Sequence, residues 1–353
     1  MKVASIVGAR PNFIKLSPVS REMRKEMDEI IIHTGQHYDY EMDRIFFDDL
    51  GIPAPDYHLN VGSGSHGYQT GEMLMRVEEI LAKEKPDLVL VFGDTNTTLA
   101  GALAGAKLNL KVAHVEAGLR SFDRSMPEEI NRILVDHCSN FLFCPTETAV
   151  SNLNEEGIIQ NVYNTGDVMV DVQKDCMTIA ENRSQIMDEL DLSAKSYCLA
   201  TIHRAANTDD PNKLRSIAYA LSAIGNIVFP CHPRAEKRLK SLDLWNLLDK
   251  NIKIIKPIGY LDMLVLEKNA LKILTDSGGL QKEAYLLGVP CITLRDETEW
   301  VETLNDGWNV LVGTDENKII QMTRIFGPLG KNRNAFGSGD ASKKIAKLIG
   351  MTN

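Results

Sequence analysis

The chain predicts an α/β fold built from two doubly wound, mostly parallel domains, and three observations carry that prediction. Uninterrupted apolar runs such as Leu88-Val89-Leu90-Val91-Phe92 suit strands covered by helices on both faces. Such runs alternate with stretches of helical apolar spacing through the first half, and the alternation resumes after a polar, strandless stretch at residues 168–195. At 353 residues the chain is also longer than one core serves. Two similar domains facing a ligand cleft are therefore expected, although no sequence repeat is visible.

Taken in order, residues 3–7 form the first expected strand, and Gly8-Ala9-Arg10-Pro11-Asn12 breaks it before a helix marked by Ile14, Leu16 and Val19. Arg10 and Lys15 can face the turn or remain solvated surface cations. The turn lacks the G-x-G-x-x-G spacing of a dinucleotide site. Residues 30–33 give the next strand, which runs into the polar, aromatic stretch Thr34 to Asp39. Residues 60–71 hold too many glycines for regular structure and are expected to be a lid or a flexible linker. A helix carrying Met73, Leu74, Val77, Ile80 and Leu81 follows and stops before Pro86.

The strand at residues 88–92 delivers Gly93-Asp94-Thr95 to the carboxyl edge of the sheet, where open α/β sheets hold their ligands. Asp94 can serve chemistry there or cap the helix that follows. Glu116 leaves the strand at residues 111–115, and Ala117-Gly118 after it would allow close backbone approach to a ligand. Ser125-Met126-Pro127-Glu128 fits a capping box, which offers Glu128 a structural role as well as a catalytic one. Carboxylates gathered at one sheet edge suit proton transfer.

Residues 141–144 and 162–165 complete the strands of the first half. Residues 197–202, 227–229, 252–255, 271–274 and 291–294 are the strands of the second. His203-Arg204 and Cys231-His232-Pro233-Arg234 each follow a strand, and Thr275-Asp276-Ser277-Gly278-Gly279 opens a helix that carries Glu283. Free amides and the positive dipole end at Ser277, Gly278 and Gly279 suit a phosphate, with Glu283 placed for a ribose. Asp276 fits either an N-cap or a ligand group.

Composition narrows the function classes. Apolar residues make up 44% and charged residues 25%, ordinary globular values. A net charge of −9 argues against a nucleic-acid surface or an anionic-membrane surface. No apolar run approaches the roughly 18 residues of a membrane span, and the N-terminus does not read as a signal peptide. The six cysteines lack C-x-x-C spacing and read as buried free thiols. A cytoplasmic enzyme that grips a nucleotide at one end and works on the other is the class these features describe.

Gly8-Ala9-Arg10-Pro11, Thr34-Gly35-Gln36-His37, Gly93-Asp94-Thr95, His114 to Arg120, Pro127 to Arg132, His203-Arg204, Asp276-Ser277-Gly278-Gly279 with Glu283, and Arg295 with Thr298-Glu299 together closely resemble the non-hydrolysing UDP-N-acetylglucosamine 2-epimerases. The resemblance spans nearly the whole chain. It implies two Rossmann-like domains in a B-type glycosyltransferase-like fold. Residues 1–168 with 338–353 would form the N-terminal domain, which carries the acids, and residues 169–337 the UDP-binding domain. It implies isomerisation of UDP-N-acetylglucosamine to UDP-N-acetylmannosamine through 2-acetamidoglucal, for surface polysaccharide or glycan precursors, with no metal or cofactor. Asp94, Glu116, Glu128, His203 and Lys15 are the catalytic candidates. Arg10, Arg204, His232, Ser277, Gly278, Gly279 and Glu283 are the UDP-binding ones.

Gln36, His37, Gln69 and Arg120 match a second, allosteric substrate site, and a homodimer is implied. One departure stands out, because Ala206 replaces a glutamate common in relatives. The alternatives are a hydrolysing epimerase or glycosyltransferase on the same fold, and a nucleotide-sugar-binding protein without catalysis.

Overall fold

The computed structural model describes residues 1–35, 51, 53–328, 330 and 332–351. The chain divides into two compact units, Met1–Lys174 with Ala335–Asn353, and Asp175–Asn334. The first change of unit falls inside the Val168–Arg183 helix, because Val168 packs into the core of the first unit.

Among the described residues the first unit holds seven strands: β1 Lys2–Val7, β2 Asp28–His33, β3 Tyr57–His58, β4 Leu88–Phe92, β5 Lys111–Val115, β6 Phe141–Cys144 and β7 Val162–Asn164. All pair in parallel in the order β3-β2-β1-β4-β5-β6-β7. Along β4 the side chains alternate between two cores. Leu88, Leu90 and Phe92 join Phe13, Leu16, Val19 and, from the Ala341–Gly350 helix, Ile345 and Ile349. Val89 and Val91 join Met73, Val77 and Leu81 on the opposite face. The period of two thus buries both faces, as an all-apolar strand requires.

The second unit repeats the plan with β8 Cys198–Thr201, β9 Ile227–Pro230, β10 Lys253–Ile255, β11 Lys272–Thr275, β12 Cys291–Thr293 and β13 Asn309–Leu311. Its parallel order is β10-β9-β8-β11-β12-β13. The doubly wound α/β expectation is met in both units. The short β3 and β13 are absent from the sequence reading because two or three residues are too few to show a period.

Two local expectations are overturned. Residues 60–71 are not all loop: Ser65 caps a helix at His66–Glu84, and Gln69, Met73, Val77 and Leu81 form its buried stripe. Gly67 and Gly71 lie inside that helix, where packing outweighs the propensity cost of about 1 kcal/mol each. The Ser125 capping box does not form either. Met126 occupies the N-cap of the Pro127–Cys138 helix without a side-chain bond, and the Ser125 amide donates to Asp123 instead.

Candidate functional site

Each unit carries its own polar cluster where its strand order reverses, between β1 and β4 in the first and between β8 and β11 in the second. Adjacent connections diverge to opposite faces at such a point and leave a crevice at the carboxyl ends of the strands.

In the first unit the helix Arg10–Met23 follows β1, with Asn12 closing its first turn by accepting from the Ala9 amide at 3.1 Å. One turn on, Lys15 is 8% exposed and its ammonium donates to Glu116, so the lysine is a buried ion-pair partner rather than a solvated cation. The side chain of Arg10 lies outside the described residues, as do Gln36 and His37.

Asp94 leaves β4 but is not the helix cap, because Thr95 accepts from Thr98 and takes that role. The Asp94 carboxylate is instead gripped by Arg132, whose Nε and Nη2 donate at 3.0 and 2.6 Å. Glu116 leaves β5 with φ +76°, a left-handed backbone that is costly for a residue with a side chain. Its amide donates to the Phe143 carbonyl at 3.1 Å, and its carboxylate returns to Lys15. Gly93 must be glycine, since φ is +67° and a Cβ would lie 3.0 Å from Lys15 Nζ and 3.3 Å from Glu116 Oε2. Gly118 serves packing rather than ligand approach, because a Cβ there would meet the Ala149 carbonyl at 2.3 Å.

The neighbouring acids Glu128 and Glu129 separate cleanly. Glu129 is buried and accepts from the Ser121 and Phe122 amides at 2.9 Å each and from Arg132 Nη1 at 2.9 Å. Burial pushes its carboxyl up, but the Ser121 amide and the Arg132 guanidinium outweigh that and hold it below the usual range. Glu128 is exposed and makes no side-chain hydrogen bond among the described residues, so it is not the cap that spacing offered. Arg132, which ties Asp94 to Glu129, is a site residue that sequence reading missed. Only its place one turn past the acids hinted at it.

The second-site candidates are held by different sets of bonds. Gln69 donates to the Gly62 carbonyl at 2.8 Å and accepts from Asn96 at 2.9 Å. Arg120 is 7% exposed and binds both oxygens of Glu156, at 2.6 and 2.9 Å, and Asp136 at 2.7 Å.

In the second unit Asp276 follows β11, fully buried, and is not the cap of the next helix, a place that Ser277 takes. Its oxygens accept from the amides of His203 and Arg204 at 3.1 Å and from Asn207 Nδ2 at 3.1 Å. That carboxylate shapes the loop after β8 and leaves the His203 ring half-exposed, with Nδ1 3.6 Å from Asp276 Oδ1. Ala206 is exposed on the short Ala205–Thr208 helix, so Asp276 and Asn207 supply the loop's bonding without a side chain there.

The helix Gly278–Leu286 starts at Ser277, whose hydroxyl makes no cap and whose amide donates to Thr275 Oγ1 at 2.9 Å. The first amides of the helix are therefore left uncapped by the Ser277 side chain, as an anion site requires. Glu299, paired with Arg295 at 3.0 Å, packs on Gly278 so closely that a Cβ there would lie 2.0 Å from Glu299 Oε1. Glu283 accepts from the Tyr260 hydroxyl at 3.0 Å. His232 caps the Pro233–Ser241 helix through its ring, accepting from the Arg234 amide at 3.2 Å, and its ring centroid is 6.4 Å from that of His203. No cluster of three or more metal-ligating side chains occurs among the described residues. None of the six cysteines is in a disulfide, and burial pushes the Cys231 and Cys291 thiols up to about 12.

Comparison with known proteins places the chain in a family. The family model described as UDP-N-acetylglucosamine 2-epimerase matches residues 21–350. A Methanococcus maripaludis protein named UDP-N-acetylglucosamine 2-epimerase homolog is 59% identical, with 99% of each chain covered. The UDP-2,3-diacetamido-2,3-dideoxy-D-glucuronate 2-epimerase of Pseudomonas aeruginosa is 47% identical, again over 99% of both. The Methanocaldococcus jannaschii UDP-GlcNAc 2-epimerase, solved in complex with UDP-GlcNAc and UDP, superposes with a TM-score of 0.87 at 49% identity, covering 99% of this chain and 100% of that one. The two switch-point clusters, the doubly wound sheets and a match along nearly the whole length make one statement: this chain belongs to the UDP-N-acetylglucosamine 2-epimerase family.

Proposed function

We propose that the protein interconverts UDP-N-acetylglucosamine and UDP-N-acetylmannosamine without net hydrolysis. The observation that carries this reading is the cluster at the exits of β4 and β5, where Arg132 fixes Asp94 and Lys15 pairs with Glu116. Similarity to an epimerase solved with UDP-GlcNAc and UDP supports the substrate.

The chemistry asked of the site has two halves. A base takes the C2 proton while the C1–O bond breaks, its electron pair leaving on UDP and a C1–C2 double bond forming 2-acetamidoglucal. UDP oxygen then re-adds at C1 and a proton returns to C2 on the opposite face. Asp94, Glu116, Glu128 and His203 form the acid–base set of this reading, and Lys15 brings a cation beside Glu116. Ser277, Gly278, Gly279 and Glu283, with Arg10, Arg204 and His232, hold UDP so that it stays bound between the halves. The same reading includes a homodimer that works in the cytoplasm on glycan precursors; light scattering after gel filtration tests the dimer.

Incubation with UDP-N-acetylglucosamine in deuterated water is expected to give UDP-N-acetylmannosamine labelled at C2, read by NMR. Absence of both isomerisation and exchange would overturn the reading. The Pseudomonas relative supports a second substrate, a UDP-diacetamido-uronate undergoing the same C2 inversion. Turnover of that compound but not of UDP-N-acetylglucosamine would select it.

A further inference from the structure

The turn that carries Asp94 is held by every carbonyl it exposes. Phe92 O accepts from Asn12 Nδ2 and from Thr98 Oγ1, both at 2.7 Å. Asp94 O accepts from Asn131 Nδ2 at 2.9 Å. Between them, Gly93 O accepts from His114 Nε2 at 2.8 Å. His114 lies on β5 two residues before Glu116 and is fully buried, and its other nitrogen, Nδ1, is 2.7 Å from Asp136 Oδ1.

Both partners of that ring are acceptors. A peptide carbonyl has no hydrogen to give. Asp136 is a carboxylate, because the buried guanidinium of Arg120 pairs with it as a cation. It also accepts from the Gly118 amide at 3.1 Å and from Arg120 Nη1 at 2.7 Å. Neutral imidazole donates through one nitrogen only, so satisfying both contacts requires hydrogen on each. A buried ring that failed one of them would leave a polar group stranded, at a cost of about 1–3 kcal/mol.

We propose that His114 is a positioning residue that works as an imidazolium, clamping the Gly93 carbonyl to Asp136 and so fixing the turn between Asp94 and Glu116. Its charge is balanced along a chain of alternating sign, His114, Asp136, Arg120 and Glu156, that ends at His137, 3.2 Å from Glu156. The other titratable groups beside this chain are Cys144, next to Asp136 and Arg120, and Lys15 and Glu116, next to Gly93. The ring's hydrogen bonds go to Asp136 and to the Gly93 carbonyl rather than to Asp94 or Glu116, so it acts through the backbone of Gly93. The functional half of this inference rests on the epimerase reading above.

The test begins on the unmutated full-length protein, labelled with ¹⁵N-histidine, at about pH 7.5, where a free imidazole is mostly neutral. The His114 signal, assigned through bonds from its ring to its own backbone amide in a ¹³C,¹⁵N-labelled sample, is expected to show two protonated ring nitrogens. A single unprotonated nitrogen in that ring would overturn the proposal even if the variant fails to fold. In a folded His114→Gln, kcat is expected to fall about 10- to 100-fold with KM within about threefold, because a misplaced turn weakens the transition state more than binding. An unchanged kcat, or a KM that rises alone, would refute the positioning role. The spectrum is taken without substrate, so a wild-type protein inactive on both nucleotide sugars sinks the functional reading while the imidazolium stands or falls on its own signal.

Discussion

At the scale of single residues, Glu116 combines a left-handed backbone with a buried pairing to Lys15. Strain of about 1–3 kcal/mol is held in place because the Phe143 carbonyl fixes its amide and Lys15 fixes its carboxylate. Asp94→Asn and Glu116→Gln are each expected to lower kcat by at least about 10²-fold in a steady-state assay with UDP-N-acetylglucosamine. Near-normal turnover in either would remove that residue from the acid–base set. The adjacent glutamates are expected to part company. Glu129→Gln should lose about 1–3 kcal/mol in urea denaturation, because the Arg132 contact and two amides lose their anion. Glu128→Gln should lower kcat at unchanged midpoint. Spacing alone could not distinguish the two, since the choice depends on how the Pro127–Cys138 helix is rotated against the sheet.

At the scale of elements, glycines separate into those that cost stability and those that the fold demands. Gly67 and Gly71 sit in the His66–Glu84 helix with open space around a would-be Cβ. Gly67→Ala and Gly71→Ala are each expected to stabilise the protein by about 0.5–1 kcal/mol, read as a rise in thermal midpoint. Gly118→Ala should do the reverse by more than about 1 kcal/mol, because φ is +78° and the Ala149 backbone stands in the way. An unchanged midpoint there would mean that the Glu147–Glu155 helix shifts at no cost. The strand runs at residues 88–92 and 111–115 were legible because both faces are apolar. The start of the His66–Glu84 helix was not, because its glycines masked a stripe that only burial reveals.

At the scale of the molecule, proton linkage works in opposite directions in the two units. Glu129 and Asp136 are held below the ordinary carboxylate range in the first. Their stabilising contribution is complete above the unfolded values of about 4 and is lost as pH falls through the depressed folded values, so the first unit should unfold readily in acid. In the second unit Glu267 is fully buried and neither carboxyl oxygen has a hydrogen-bond partner among the described residues. Burial, and then the charge of Glu283, pushes its pKa well above the ordinary value. The folded state therefore keeps a proton that the unfolded chain releases near pH 4.3, and stability falls as pH rises from there toward the folded value. Glu267→Met is expected to stabilise the protein by about 1–3 kcal/mol, with the larger gain at alkaline pH, in urea titrations at about pH 6 and pH 8.5. A destabilised variant with the opposite pH trend would show that the carboxyl is ionised and paired.

The sequence by itself determined the doubly wound class, the repeated plan, the strand exits that hold Asp94, Glu116, His203 and Ser277, and, through its motifs, the family. Those features depend on local composition and on periods of two and 3.6 residues, which survive in a one-dimensional reading. Tertiary structure alone decided which side chains hold which. It gave Asp94 to Arg132 rather than to a helix end, turned Glu129 inward and Glu128 outward, and committed Arg120 to Asp136 and Glu156. It also set Asp276 beneath the His203 loop and His114 behind Gly93. Most of these pairings join elements distant in the chain, and side-chain hydrogen bonds at 2.6–3.1 Å are settled by the packing angle of the helices, which no local pattern encodes.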